Sequence, residues 1–129
     1  MLVRISIILL CCGLLVATDY YRLDNQFDSL QNLLRQTRLK ALYENKRIIV
    51  RFEDDTVKSP LGNIKVPFLN EINYDTKLGQ NMIVFTGQGT SPYNVRIHGG
   101  DMTLKSWFGM TRHIAVNCTG LVTEGVYPE

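Results

Sequence analysis

The spacing of apolar residues changes character twice along this chain. From Ile5 to Ala17 the run Ile-Ser-Ile-Ile-Leu-Leu-Cys-Cys-Gly-Leu-Leu-Val-Ala carries no charge and no proline. It passes into Asp19–Lys46, where Leu23, Phe27, Leu30, Leu34, Thr37 and Ala41 recur at steps of four and three residues. Those steps place all six on one face of an α-helix. Tyr20, Val16, Gly13 and Leu9 carry the same stripe back into the apolar run. The pattern predicts one long helix over residues 1–46, apolar all round at its start, amphipathic afterwards, and ending near Asn45.

Beyond Lys46 the period becomes two. Ile48, Val50 and Phe52 alternate with Ile49 and Arg51, as on a strand with one buried face. Glu53-Asp54-Asp55 and Ser59–Asn63 read as turns. Ile64–Leu69 reads as a short strand that Pro67 marks as an edge. A further strand is expected over Glu71–Asp75, a loop over Lys77–Asn81, and a central apolar strand over Asn81–Thr86. Gly87–Pro92 reads as a long turn, and Tyr93, Val95 and Ile97 alternate as the next strand. Gly99-Gly100 then joins that strand to Met102–Trp107 as a hairpin. Arg112–Cys118 and Leu121–Tyr127 close the chain around Thr119-Gly120. The expected fold is α+β: one long helix packed against six to eight antiparallel strands in two small sheets. Its parts are a helix over 1–46 and a globular β domain over 47–129.

At 129 residues the chain has room for one domain and a short appendage. Net charge is +2, and removing residues 1–17 takes away only Arg4, leaving +1. So near-neutral a domain offers no general attraction for nucleic acid or anionic membrane. Arg35, Arg38, Lys40, Lys46 and Arg47 crowd the end of the helix against Glu44. Cations there suit the negative end of the helix dipole, which is the preferred reading. The alternative is that Arg35, Arg38, Lys46 and Arg47 meet an anionic partner. The apolar run also has two readings. Thirteen residues span about 20 Å of helix, short of a bilayer core but right for a secretory signal cut after Ala17. In either reading Asp19 onward lies outside the cytoplasm.

Candidate chemistry is sparse. His113 and Cys118 stand five apart on an expected strand, so they face opposite ways and form no local dyad. Cys118 reads as a small buried hydrophobe without a disulfide partner, since Cys11 and Cys12 both lie in the apolar run. His98 and His113 lack the spacing of a zinc site, and Glu53-Asp54-Asp55 reads as a solvated turn before a calcium site. Gly87-Gln-Gly89 lacks the Lys-Ser/Thr pair of a phosphate loop. Asn117-Cys-Thr119 reads as a chance glycosylation sequon, and Trp107-Phe108 as core or inter-sheet filling before a binding patch. No catalytic residue, cofactor or metal is expected, and the chain does not read as an enzyme.

Several motifs, taken in order, resemble the type IV pilin-like proteins, in particular the minor pseudopilins and pilins of the GspH/FimT type. Met1-Leu-Val-Arg-Ile-Ser-Ile-Ile is similar to the apolar run that follows the leader-peptidase motif Gly-Phe-Thr-Leu-Ile/Val-Glu in that family. Arg38, Ala41, Asn45, Lys46, Arg47 and Val50 match the family's junction between helix and first strand. Ile83-Val-Phe85, Gly89-Thr90 and Asn94-Val95-Arg96-Ile97 resemble its "Ile-Thr-Phe … Gly-Thr … Thr-Ile-Thr-Leu" segment. Ile114–Val122 resembles its closing "Val-Val-Val-x-x-Thr-Gly-Arg-Val".

The resemblance implies a structural subunit of a type II secretion pseudopilus or a type IV pilus. Residues 1–17 would be a single-pass anchor in the bacterial inner membrane and 18–46 the amphipathic half, with the globular domain in the periplasm. Ile5, Ile8, Leu9, Cys12, Val16 and Tyr20 would pack in membrane and filament, while Leu23, Phe27, Leu30, Leu34 and Ala41 face the β domain. Other pilins or pseudopilins are the expected partners. The leader motif and its Glu would lie upstream of Met1, and its five residues would lengthen the mostly apolar span from 17 to 22, enough to cross a bilayer. Leu121 replaces the Arg that FimT-type members use toward DNA, so DNA is disfavoured as a partner. The rival readings are a DNA-uptake minor pilin using the four basic residues and a secreted β domain released after Ala17.

Overall fold

In the computed structural model, which describes residues 2–73, 75–76, 79–91 and 100–124, a single helix α1 spans Leu2–Glu44. Asn45 ends it by adopting the left-handed conformation, φ 50°. The N–H of Asn45 then donates to the Leu42 carbonyl (3.3 Å) and that of Lys46 to the Ala41 carbonyl (3.2 Å). This double closure satisfies carbonyls that have no partner within the helix, and Asn tolerates the left-handed backbone better than most residues.

Ten short strands follow: β1 (Ile48–Glu53), β2 (Thr56–Ser59), β3 (Gly62–Lys65), β4 (Leu69–Asn73), β5 (Asp75–Thr76), β6 (Gly79–Gln80), β7 (Met82–Phe85), β8 (Gly100–Lys105), β9 (Thr111–Val116) and β10 (Val122–Glu124). They form one sheet in the order β3-β2-β1-β7, a second in the order β10-β9-β8-β4, and the small ladder β5-β6. All pairs are antiparallel. The expected α+β fold with two small sheets is the observed one.

The helix lies over both sheets. Its Leu23, Phe27, Leu30, Leu34 and Ala41 join Ile48, Val50, Phe52 and Val57 of the first sheet and Met102, Leu104, Ile114 and Val116 of the second in one core. Burying each large apolar side chain contributes on the order of 2 kcal/mol. The alternation in β1 places Ile48, Val50 and Phe52 inward, as its period requires.

Some elements differ from the sequence reading. Pro67 lies not in an edge strand over 64–69 but in the turn between β3 and β4, closed by the Leu69 N–H on the Val66 carbonyl (3.0 Å). Residues 56–59, flanked by two turns, form β2. Among the described residues, the apolar segment 82–85 stands at the edge of its sheet, where the sequence reads a central strand. All four of its residues are buried: Ile83 and Phe85 lie in the core with the helix, and β5 runs close beside the strand. Ten strands among the described residues exceed the expected six to eight, since several are only two to four residues long. The strand read over Tyr93–His98, with Gly99 of its hairpin, lies outside the described residues, as do Lys77–Leu78 and the end of the last strand.

Candidate functional site

The helix divides sharply at Asp19. Large apolar residues from Val3 to Val16 are 44–71% exposed, whereas Leu23, Phe27, Leu30, Leu34 and Ala41 are at most 2% exposed. Ile5, Ile8, Leu9, Cys11, Cys12 and Val16 therefore project beyond the β domain on a helix that is, by length and composition, long and apolar enough to cross a membrane. Tyr20 is exposed, and the packed stripe reaches back to Asp19 instead. Both residues are in helical phase with Leu23; the β domain offers the helix N–H groups at that point, and those require an acceptor.

Asp19 is completely buried. One carboxylate oxygen accepts the Trp107 N–H (3.0 Å) and the other the Phe108 N–H (3.2 Å). These belong to the turn between β8 and β9, which closes on itself through the Ser106 N–H to the Met110 carbonyl (2.8 Å). Burial pushes the Asp19 carboxyl up, but hydrogen bonds from Ser106, Phe108 and Trp107, with Arg22 nearby, hold it below the ordinary value of 3.8. The turn presents Trp107 and Phe108 outward, 71% and 56% exposed, so they are not the core filling expected of them. Trp107 stands edge-on to Phe68 with ring centroids 5.8 Å apart, and the Arg22 guanidinium lies 4.7 Å from its ring.

Further along, other polar residues of the helix each hold a piece of the β domain. Gln26 accepts the Phe68 N–H (2.8 Å). Asp24 meets Arg112 of β9, which also binds Glu124 of β10 (2.9 Å) and lies 3.7 Å from the Phe27 ring centre. Burial alone would lower the Arg112 pKa, but Glu124 and Asp24 raise it above the usual arginine value. Thr37 donates to the Leu33 carbonyl (2.7 Å), which leaves its oxygen to accept from the Ser59 hydroxyl (3.0 Å).

The basic residues at the end of the helix do not form one free patch. Arg35 donates to the Val122 carbonyl (3.2 Å) and Arg38 to the Gly89 carbonyl (2.8 Å). Lys46 pairs with Glu44 (2.9 Å), which Lys40 also approaches (3.3 Å), while Arg47 is exposed. The last turn, Ala41–Glu44, holds no basic residue, so the dipole match expected there is corrected: Arg35 acts on a carbonyl at the start of β10 and Arg38 on one in the turn at 87–89.

Gly87–Gly89 is a turn, closed by the Gly89 N–H on the Thr86 carbonyl (2.9 Å). Cys118 is exposed in the turn after β9, not buried, because the backbone there leaves the sheet. Asn117 folds its side-chain oxygen onto the Thr119 N–H (3.1 Å), the Thr119 hydroxyl (2.6 Å) and the Leu121 N–H (3.0 Å). His113 shares a hydrogen bond with Thr103 (2.9 Å), and Glu53 pairs with Lys58 (2.7 Å) across the acidic turn. No group of three potential metal ligands occurs among the described residues. His98 lies outside them.

A long helix, apolar and bare at its start, laid over small antiparallel sheets has a counterpart among solved structures. The type IV minor pilin FimU of Pseudomonas aeruginosa superposes with a TM-score of 0.58 over 84% of this chain and 92% of that one, at 16% sequence identity. The fold is pilin-like. No family model matches the chain, and no curated protein matches it in sequence. At this identity the shared property is the pilin-like architecture, a helix carrying a β domain on its second half. The buried carboxylate at Asp19 was the feature missed in the sequence; a charged residue in phase with the apolar stripe was its signal.

Proposed function

We propose that this chain is a structural, non-enzymatic subunit of a pilin-like assembly. Residues 1–17 hold it in the bacterial inner membrane, and the β domain stands on the periplasmic side. It assembles with other pilins or pseudopilins through the projecting helix, Ile5, Ile8, Leu9, Cys12 and Val16 supplying the apolar surface. The proposal covers the pseudopilus of a type II secretion system and a type IV pilus alike. The observation that carries it is the division of one unbroken helix at Asp19. A half with large apolar residues exposed throughout has to be covered by lipid or by other helices.

Minor-pilin likeness in fold supports the reading, and the engagement of Arg35, Arg38 and Lys46 within the chain gives DNA uptake less support. Mass spectrometry of the natural protein's N-terminus tests it. An N-methylated residue preceding the apolar run establishes processing as a pilin. A mature chain beginning at Thr18 overturns the anchor and favours a secreted β domain.

A further inference from the structure

The turn that carries Trp107 and Phe108 is placed with unusual care. Asp19 is the first fully buried residue of the helix, and its carboxylate takes the N–H groups of both aromatic residues. The turn therefore touches the helix two residues beyond Ala17, about 3 Å along its axis from the end of the apolar run. At that same level Tyr20 and Tyr21 are 55% and 66% exposed. The guanidinium of Arg22, itself an exposed residue, lies over the Trp107 ring and so places a cation beside it. Exposing two adjacent aromatic rings while burying a carboxylate to fix the backbone beneath them is unfavourable for a surface that meets only water.

We propose that the Trp107–Phe108 turn is a membrane-interface contact, seating both rings at headgroup level beside Tyr20 and Tyr21 in the membrane-held subunit. Trp and Tyr favour this layer because one side of the ring is apolar and the other polar, and Arg extends its charge toward phosphate there. The contact would fix the tilt and height of the β domain above the bilayer. The occupant is lipid, not a neighbouring subunit, because the turn sits where the apolar run ends. The inference rests on the reading of residues 1–17 as an anchor.

Trp107 is the sole tryptophan, so it reports on itself. The full chain is reconstituted into phosphatidylethanolamine–phosphatidylglycerol vesicles containing lipids brominated either near the headgroup end or near the tail end of the acyl chain. The expected result is roughly twofold or stronger quenching of Trp107 by the headgroup-end bromines than by the tail-end ones, as an interfacial ring requires. Asp19→Ala in the full chain should weaken that preference while the protein stays with the vesicles. If the chain survives alkaline carbonate extraction but Trp107 answers only to aqueous iodide, this inference falls and the anchor stands. Loss of the chain from the vesicles at that step overturns both. Iodide protection that arises only on assembly with other subunits also overturns it, in favour of a subunit contact.

Discussion

A methyl group at Gly120 would lie 1.9 Å from the carbonyl oxygen of Gly89. That oxygen is the acceptor for Arg38, and the neighbouring Ser91 N–H donates to the Cys118 carbonyl (3.0 Å), so two loops and the helix converge at one point. Gly120 also holds φ at 84°, a region glycine enters freely and side chains do not. Gly109 has a similar φ of 86°, but a Cβ there meets nothing within 4 Å. The pair separates conformational strain from collision.

Gly109→Ala should therefore cost roughly 1–2 kcal/mol, the strain of a left-handed residue alone. Gly120→Ala should cost more, because backbone has to move away from backbone and the Arg38 hydrogen bond moves with it. Urea denaturation of the two variants against the parent checks this. Equal losses would mean that the convergence at Gly89 relaxes freely.

The division of the helix makes a second contrast. Leu30→Ala removes a side chain of 0% exposure and should destabilise by roughly 2–5 kcal/mol. Leu9→Ala removes one that is 68% exposed and should change the unfolding of the β domain by no more than about 0.5 kcal/mol. Calorimetry of both variants in the same detergent is the measurement. A large effect at Leu9 would mean that the projecting segment packs on its own domain.

The helix and its buried stripe were legible because a period of 3.6 sustained over Leu23–Ala41 has one reading. The buried face of β1 was legible for the same kind of reason, a period of two over Ile48–Phe52. What escaped was decided by contacts between distant parts. Met82–Phe85 reads as a central strand because it is apolar on both faces, yet among the described residues it ends its sheet, with Ile83 and Phe85 in the core under the helix and β5 close beside it. Asp19 and Tyr20 are equally in phase with Leu23, and only the N–H groups of the turn at 107–108 select the carboxylate. Trp107 reads as core or inter-sheet filling on hydrophobicity, which is blind to a backbone tether that holds the ring outside.

Asp19 also sets an acid limit. Its pKa is lowered in the folded chain, so its contribution is fully present above the unfolded value near 3.8 and is lost as pH falls through the lower folded value. Thermal midpoints should therefore drop with acid below 3.8 more steeply in the parent than in Asp19→Asn. The amide keeps one acceptor for the turn but cannot titrate. Parallel curves for the two proteins would show that the carboxylate does not hold the turn.

Arg112 tests whether charge or shape joins the helix to the second sheet. Its guanidinium meets Asp24 and Glu124 while its plane covers the Phe27 ring, and only a flat fork with several donors can do all three. The Arg112→Lys variant keeps the charge but loses the fork and the stacking, so it should recover little of the stability lost in Arg112→Met. Both should fall about 1–2 kcal/mol below the parent, a range tempered by the exposure of the two carboxylates. Raising the salt concentration should narrow the gap between parent and Arg112→Met only in part, since stacking on Phe27 is not screened. Denaturation at low and high salt decides between them. Full rescue by lysine, or a gap that closes entirely in salt, would reduce the residue to an ordinary surface ion pair.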